Sequence, residues 1–326
     1  MAGNANYNDL LTTTLEERSG VLKDNVTKNN ALLKRLSERG KIRQITGGTK
    51  IVEELEYGEG DMVWYNGYDT INSTPKQLFS AAEYSMKMAA VPVAISGEDL
   101  LKNSGPEAVM DLFEKRIENA FKTMKNQFSA AIYGDGTGNS GKEIGGLKLL
   151  VADNPETGVV GGIDRSSEDN KWWRNQATTL SAALDKDNIF RAFSKAYQGL
   201  VRGSDAPDLI VTGDTIYGIF EESLGALQRF TTSSMADAGY KTLKFKGADV
   251  ICDGGQGGHC PDDHAYFLNT NYIYLRPHKD RNMKVVGGDR MAINQDAIYK
   301  LIGWAGNMTL SNAALQGVLI NPSAEE

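Results

Sequence analysis

A glycine-rich run, GDGTGNSGKE, supplies the residues whose spacing comes closest to a known ligand-binding motif. Gly136, Gly138 and Gly141 satisfy the dinucleotide-binding pattern G-x-G-x-x-G. With Lys142 the run also satisfies the start of the P-loop pattern, but Glu143 stands where a hydroxyl would hold magnesium. Both patterns need a strand before the glycines and a helix after them, so that the helix N-terminus faces the phosphate. A predicted helix precedes this run instead, so nucleotide binding is not expected.

The same run carries part of a calcium-binding pattern. Asp135, Thr137 and Asn139 have the spacing of the first ligands of an EF-hand loop. Ser140 stands where that loop needs its turn glycine, and Gly146 stands where it needs a bidentate glutamate. Calcium binding is therefore not expected either.

Four residues of metal-binding types cluster in a glycine-rich stretch: Cys252, His259, Cys260 and His264. A structural zinc site usually has close ligand pairs separated by about two to four residues, and Cys252 has no such partner. A surface loop with incidental thiols is the preferred interpretation. Two cysteines are also too few for a disulfide framework.

Adjacent acidic residues are a further possible source of chemistry. Neighbours in a strand or helix point in different directions, so solvated faces explain these pairs better than a catalytic dyad does. No G-x-S-x-G or H-E-x-x-H motif occurs. The sequence thus predicts no catalytic residue, no cofactor-binding residue and no metal site, and the chain is not expected to be an enzyme. The acidic pairs are Glu53 with Glu54, Glu221 with Glu222, and Asp262 with Asp263.

The element that leads into the glycine run is a predicted helix from Pro106 to Tyr133. Proline suits the first helical turn, and Gly134 supplies a stop signal. Apolar residues recur every three or four positions between Val109 and Ile132. At about 1.5 Å per residue this helix is expected to be about 40 Å long. It is therefore well above the average length of a globular helix.

Two strand patterns separated by a turn-rich segment predict a long hairpin. The first places Ile51, Glu53, Leu55 and Tyr57 on one face, and the second extends over about residues 80–96. An isolated two-stranded hairpin is marginal in water, so this one is expected to rest on something else.

The turn-rich segment carries three aromatic residues, Trp64, Tyr65 and Tyr68. Clustered exposed aromatic side chains would be unfavourable on a monomer. Two interpretations are open: the aromatics fold back onto the core of their own chain, or they contact a second molecule. All three are candidate subunit-interface residues.

An N-terminal arm is predicted from residues 15–40, with apolar positions Leu22, Val26, Leu32, Leu33 and Leu36. Residues 18–43 are basic, although the whole chain has a net charge of −7. The acidic total gives no general attraction to nucleic acid or to an anionic membrane. The basic segment could lie near phosphate, but a solvated helix face is the simpler interpretation. Its cations are Arg18, Lys23, Lys28, Lys34, Arg35, Arg39, Lys41 and Arg43.

Beyond Leu147 the pattern alternates between helix and strand. The mixture lacks the regular repeat of a doubly wound fold, so the predicted fold class is α+β. Helices are predicted over Asn188–Arg202 and after Thr212-Gly213-Asp214. Strands are predicted over Asp208–Val211, Ala248–Cys252 and His264–Leu275, with further long strands in Gln295–Ile320.

Length and composition place the chain among folded soluble proteins. Its 326 residues suggest about two domains, or one core with elaborations. No stretch approaches the roughly 18 uninterrupted apolar residues of a membrane helix. The first residues lack the basic region and apolar run of a secretory signal, so synthesis is expected to end in the cytoplasm.

Taken in order, these elements resemble the major capsid proteins of tailed bacteriophages, which have the Hong Kong 97-type fold. That order is an N-terminal arm, an extended hairpin loop, a long helix ending in glycines, a mixed central region and terminal long strands. The segment YGDGTGNSGKEIGGL resembles the end of the family's spine helix, which commonly carries G-D-G-T-G and then G-L. RSGVLKDNVTKNNALLKRL, FSAAEYSMKMAAVPVAISG and NSGPEAVMDLFEKRIENA resemble one subfamily. The resemblance extends from about Thr12 to Leu319.

The resemblance implies a structural subunit that self-assembles into an icosahedral phage head around double-stranded DNA. By the same resemblance, the hairpin lies across a neighbouring subunit and gives Trp64, Tyr65 and Tyr68 a partner surface. The implied regions are an N-terminal arm at 1–48, an extended hairpin loop at 49–92, a peripheral domain with the spine helix at 93–150, an axial domain at 151–288 and peripheral-domain strands at 289–326.

The implied partners are further copies of the chain, as hexamers and pentamers, and packaged DNA bound without sequence specificity. A portal and a separate scaffolding protein are also expected, because the arm is short compared with the cleavable scaffolding segment of some members. The expected location is the virion capsid, assembled in the host bacterial cytoplasm, with no membrane. Lys50 and Lys76 lie in the loop where some members form covalent cross-links, but no acceptor can be placed beside them, so no cross-link is expected.

Two alternatives remain open. An encapsulin-like compartment shares the fold and encloses an enzyme, whereas a nucleotide-dependent enzyme would use the glycine run. The basic arm favours DNA as the contents.

Overall fold

The computed structural model describes residues 30–58, 60, 62–71, 76–98, 106–224, 242–255, 258–291 and 296–322. Residues 1–29 lie outside these ranges, and with them Leu22, Val26, Arg18, Lys23 and Lys28 of the predicted arm. The helices are α1 (Ala31–Glu38), α2 (Pro106–Tyr133), α3 (Ile189–Gly199) and α4 (Asp214–Ser223), with short helical segments at Gly138–Gly141, Leu147–Leu150 and Glu168–Trp173. Among the described residues no helix is long and apolar enough to cross a membrane.

The strands, in chain order, are β1 (Lys50–Glu56), β2 (Phe79–Ser85), β3 (Lys87–Ser96), β4 (Val159–Val160), β5 (Ile163–Asp164), β6 (Gln176–Thr179), β7 (Leu209–Thr212), β8 (Thr242–Phe245), β9 (Ala248–Cys252), β10 (His264–Leu268), β11 (Ile273–Met291), β12 (Ala297–Leu310) and β13 (Gly317–Ile320).

The predicted hairpin is present, but its second strand is divided. β2 pairs antiparallel with β1 over the whole length of both strands. β3 follows after the single residue Met86 and pairs with β12 instead. The predicted continuous strand over residues 80–96 is therefore wrong in one respect, because its two halves belong to different sheets.

A three-stranded antiparallel sheet of β11, β12 and β3 lies beside α2. The helix has the bounds expected from its sequence, and Ile117, Met124, Phe128 and Ile132 are buried. These residues recur at helical spacing, so one stripe of α2 faces the core. The expectation that His264–Leu275 forms one strand is wrong, since β10 ends at Leu268 and β11 lies in a different sheet.

A second, mixed sheet has six strands in the order β6-β13-β10-β7-β9-β8. All four residues of β7 are buried, and successive residues face opposite sides, as the period of a strand requires. Leu209 and Val211 join a core with α1, the hairpin and α2, whereas Ile210 joins a second core with α3 and α4. The fold is α+β, as the sequence predicted.

The predicted region boundaries stay predictions, but the sheets that contain β11 and β13 extend across them. The predicted axial range 151–288 contains most of β11, but β11 pairs with β12 and so belongs with the three-stranded sheet. The predicted peripheral range 289–326 contains β13, but β13 pairs with β10 and β6 in the six-stranded sheet. The assignment of these sheets to peripheral and axial domains stays a prediction.

Candidate assembly surface

The hairpin is attached to its own chain by one face only. Along β1, Ile51, Glu53 and Leu55 are buried while the alternate residues are exposed, and the buried set is the one that strand periodicity predicts. On β2, Ala82 and Tyr84 are buried on the same side. The base of the hairpin is therefore part of the core.

A buried ion pair fixes this base in position. The Arg276 guanidinium donates two hydrogen bonds to the Glu53 carboxylate, from Nε to Oε1 at 2.6 Å and from Nη2 to Oε2 at 2.7 Å. The Thr309 hydroxyl donates a third at 2.8 Å. Glu53 is 7% exposed, so its charge needs these partners. The expectation that Glu53 and Glu54 both lie on a solvated face is wrong for Glu53.

Tyr84 provides a second polar anchor. Its hydroxyl donates to the Leu310 carbonyl oxygen at 3.2 Å and accepts from the Leu310 backbone amide at 3.3 Å. Burial raises the pKa of Tyr84 well above its usual value, so the hydroxyl keeps its proton and remains a donor. The hairpin is thus bonded to β12 through both of its strands.

The short β4–β5 turn packs against the outer edge of β2. The Gly161 carbonyl oxygen accepts a hydrogen bond from the Glu83 backbone amide at 2.8 Å. Gly161 has φ +61°, and a Cβ there would overlap Ala82 and press on the Tyr84 ring. Glycine meets both requirements, the left-handed backbone and the close approach.

Arg165 holds the loop below this turn in place. It is fully buried and donates to the carbonyl oxygens of Trp173 at 3.0 Å and Leu150 at 2.8 Å. Burial lowers the pKa of Arg165 to about 10, which still leaves the guanidinium charged at neutral pH. The Tyr57 ring, just after β1, stacks on the Trp172 ring with the centroids 4.5 Å apart. Of the contacts that hold the base of the hairpin on the rest of the chain, this one lies nearest the tip.

The hairpin tip, residues 62–71, has a different environment. Trp64 is 85% exposed, Tyr65 is 65% exposed and Tyr68 is completely exposed. Met62 and Ile71 are exposed as well. Of the two interpretations left open by the sequence, packing of these aromatics onto their own core is excluded. Their role as subunit-interface residues stays a prediction.

The described part of the basic arm is tied to acidic residues of the same chain. Arg35 is bonded to Asp249 and lies 3.6 Å from Asp208, and Arg39 lies 3.2 Å from Asp208. Lys41 and Arg43 lie over the Tyr274 ring. Leu32, Leu33 and Leu36 are buried, so α1 is docked on the core. A fully solvated face therefore does not describe Arg35.

The glycine run begins at the C-terminal end of α2, as predicted. Gly134 follows the helix, but the left-handed conformation occurs later, at Gly136 with φ +76°. A Cβ at Gly136 would lie about 3.1 Å from Gly145, so the turn is tight as well as left-handed. The helix C-terminus leaves its carbonyl groups facing the loop, which is unfavourable for phosphate.

The Cys and His side chains that cluster in sequence have different bonding partners. Cys252 faces Asp214, whereas the buried Cys260 is bonded to the His264 carbonyl oxygen. The His264 ring lies between two carboxylates, 2.6 Å from Asp263 and 3.0 Å from Asp153. Within the described residues, no group of three or more acidic, Cys or His side chains could hold a metal ion.

Glu53, Arg276 and Thr309 form the polar cluster under the hairpin that sequence reasoning missed. The burial of Glu53 could have been predicted, because it lies on the same face of β1 as Ile51 and Leu55. Its partners are more than 220 residues away along the chain, so periodicity alone could not identify them.

No protein-family model and no curated protein matches this sequence, whereas its structure resembles several solved ones. The cyanophage A-1(L) capsid subunit matches with a TM-score of 0.63 and 15% identity, over 86% of this chain and 90% of that chain. The capsid of the native GTA particle gives a TM-score of 0.60 and 14% identity, over 87% and 89%. The SrpI encapsulin of Synechococcus elongatus gives 0.54 and 10%, over 91% and 90%.

These matches define the class of fold. A likeness that covers most of both chains at such low identity reflects shared architecture rather than recognisable sequence. The chain has the Hong Kong 97-type fold of tailed-phage and GTA capsid proteins, as its sequence resemblance implied.

Proposed function

We propose that this chain is a major capsid protein: a structural subunit, not an enzyme, that self-assembles into a closed icosahedral shell. The fold is shared with capsid proteins, and we infer from it the same function for this chain. The encapsulin match is compatible with the same architecture around a different cargo, so the contents of the shell are a separate question from its formation.

The observation that carries the proposal is the contrast within the hairpin. An apolar, aromatic tip with Trp64 at 85% exposure is held out by a base whose buried charges are fully paired. Monomeric soluble proteins rarely expose such a contiguous apolar surface without a binding role. Tryptophan and tyrosine are also the residues that most often dominate protein interfaces. The tip is therefore suited to contact a neighbouring copy.

Within this proposal the copies form hexamers and pentamers, and many modest contacts repeated around closed symmetry stabilise the shell. A separate scaffolding protein guides assembly and a portal admits double-stranded DNA, which is held without sequence specificity. The shell forms in the bacterial cytoplasm and becomes the virion capsid. An encapsulin-like compartment with an enzyme inside is the alternative.

Purified protein, with and without the scaffolding protein of the same phage, tests assembly directly. Negative-stain microscopy and size-exclusion chromatography should show rings and closed shells. A chain that stays monomeric under both conditions contradicts the proposal.

The contents distinguish the two candidates. Shells from infected cells should carry nuclease-protected double-stranded DNA. Shells that instead contain one abundant enzyme and no protected DNA would support the compartment.

A further inference from the structure

The pairing of β11 with β12 is interrupted by a large bulge. Four residues of β11, 278–281, stand opposite the single residue Ala305 of β12. Two of the four are cations, Lys279 and Arg281, and both are exposed. Bulges re-aim side chains and are common beside functional sites. This bulge therefore directs attention to the charge that it presents at the edge of the three-stranded sheet.

The segment that follows α1 runs parallel along the same edge of β11. The Arg43 backbone amide donates to the Leu275 carbonyl oxygen at 3.0 Å, and the Ile45 amide donates to the Pro277 carbonyl oxygen at 2.9 Å. The Lys279 amide donates in turn to the Ile45 carbonyl oxygen at 2.9 Å. The bulge is therefore held by backbone hydrogen bonds to a second segment, which brings further cations to it.

Together the two segments form a strip of positive charge, the cationic edge. None of its cations forms an ion pair with another described residue, whereas Arg35 and Arg39 of the same basic segment lie beside Asp208. One acid, Asp280, lies in the bulge among them. An unneutralised strip on a chain with a net charge of −7 is a local exception that attracts anions. The cationic edge consists of Lys41, Arg43, Lys279, Arg281 and Lys284.

The cationic edge has the length of a short stretch of duplex DNA. Tyr274, beside Lys41, lies opposite Thr309, and Lys284 lies opposite Gly303. These partners are six residues apart on β12, which gives about 20 Å at about 3.4 Å per residue. One DNA strand carries a phosphate about every 3.4 Å along the helix axis, so about six phosphates fall within that length. The cations and the phosphates are thus comparable in number.

The composition of the edge suits phosphate better than a protein partner. No large apolar side chain is exposed in residues 41–45 or 276–284, whereas the hairpin tip exposes several. Protein interfaces depend on a few well-packed anchors, most often Trp, Tyr and Arg, in desolvated pockets. Contacts to the DNA backbone need only charge and hydrogen-bond donors, which Lys and Arg supply.

We infer that the cationic edge binds the phosphate backbone of double-stranded DNA inside the proposed shell. This inference rests on the proposed function and specifies which surface of the subunit touches the contents. DNA in a closed shell is reached from its interior, so this edge of the three-stranded sheet lies on the inner surface. Binding through phosphates is independent of sequence and weakens steeply with salt.

The salt dependence of DNA binding by the free subunit tests the number of contacts. Fluorescence anisotropy with a labelled duplex of about 30 base pairs, between about 50 and about 200 mM salt, gives the slope of log K against log salt. Five phosphate contacts predict a slope of about −4 to −5 for wild type. Lys279→Gln combined with Arg281→Gln should make that slope shallower by about two and leave the melting temperature unchanged.

The matched control is Arg191→Gln combined with Lys195→Gln. It removes one arginine and one lysine that are exposed on α3, so the change in net charge is the same. Its slope should equal that of wild type. Equal slopes for the two double variants contradict the inference, and so does the absence of binding by wild type at the lowest salt.

Formaldehyde cross-linking of DNA-filled wild-type shells tests the contact without any substitution. After digestion of protein and DNA, mass spectrometry should find nucleotide adducts on Lys41, Lys279 and Lys284. Adducts confined to other exposed lysines, such as Lys186 or Lys244, overturn the inference.

Failure of the inference can be distinguished from failure of the proposed function. If wild-type subunits form no shells, or form shells without DNA, the proposed function fails and this inference fails with it. If DNA-filled shells form and their adducts lie away from the cationic edge, only the inference fails. It also fails if the Lys279→Gln, Arg281→Gln variant cannot form empty shells while the control does, since the edge then contacts another protein.

Discussion

The base and the tip of the hairpin differ in how far their side chains are buried and paired within the subunit. At the base, every buried polar group has a partner: Glu53 has Arg276 and Thr309, and Tyr84 has the Leu310 backbone. At the tip, large apolar side chains such as Trp64 face solvent. The base is thus packed and bonded within one subunit, whereas in the proposed shell the tip is covered by a second molecule. Substitutions in the two regions should separate the stability of the subunit from its assembly.

Removing the buried charge at the base should have the largest effect. Glu53→Ala leaves Arg276 without its partner, which typically costs about 3–5 kcal/mol for a buried pair. The free energy of unfolding of the free subunit, measured in urea, should fall by about 3 kcal/mol, at the low end because Arg276 is partly exposed. Glu54→Ala, on the exposed face of the same strand, should stay within about 0.5 kcal/mol of wild type. Equal effects of the two would show that the ion pair does not anchor the hairpin.

Two glycines with similar left-handed φ angles allow packing at the base and at the tip to be compared. Gly161 at the base has φ +61° and contacts Ala82 and Tyr84, whereas Gly67 at the tip has φ +53° and no atom near its Cβ position. Gly67→Ala should cost about 1–2 kcal/mol of local strain. Gly161→Ala adds overlap in the core and should cost about 1–3 kcal/mol more in urea unfolding. Indistinguishable losses would mean that the base is not tightly packed.

Substitutions in the tip should affect assembly alone. Trp64→Ala should weaken each contact between subunits by about 2 kcal/mol, as truncation of a central interface aromatic does. Shell yield, measured by sedimentation, should therefore fall sharply. The melting temperature of the free subunit should not change.

Val52→Ala is the matched control for that measurement. Val52 is 54% exposed on the outward face of the hairpin, away from the tip. It should leave shell yield much closer to wild type. A drop in subunit stability with Trp64→Ala would instead place that side chain in its own core.

The smallest effect concerns pH and lies away from the hairpin. Burial acts to lower the pKa of His264, but the hydrogen bonds that its ring donates to the Asp153 and Asp263 carboxylates outweigh this effect and raise the pKa. A raised pKa contributes stability below the unfolded value of about 6.5, and this contribution is lost as pH rises through the folded pKa.

The stability advantage of wild type over His264→Asn should therefore shrink as pH rises from 6 towards 9, measured by urea unfolding at each pH. Asp153→Asn should show the same trend, because it removes one of the two partners. An advantage that grows with pH would contradict the charged pairing.

Local patterns predicted the elements well and their partners poorly. The spacing of Ile117, Met124 and Phe128 was enough to define α2, because a helix is determined by neighbours three and four residues apart. The break at Met86 carries no such local signal, since β2 and β3 both have strand patterns and pair with different distant strands. From the sequence, exposure of Trp64 was one of two open interpretations. Arg276 could not be identified from the sequence as the partner of Glu53. Contacts between distant segments depend on topology, which one sequence specifies only through the whole fold.

The single residue between β2 and β3 has a mechanical consequence. A pull on the tip runs along the chain from Phe79 to Ser96 and enters the three-stranded sheet along the strand axis. There β3 is paired with β12 over ten consecutive positions, from Lys87 to Ser96. Separating β3 from β12 in that direction requires the hydrogen bonds between the two strands to break together rather than one after another. In the proposed shell, outward pressure on the hairpins would thus load the pairing of β3 with β12 in shear.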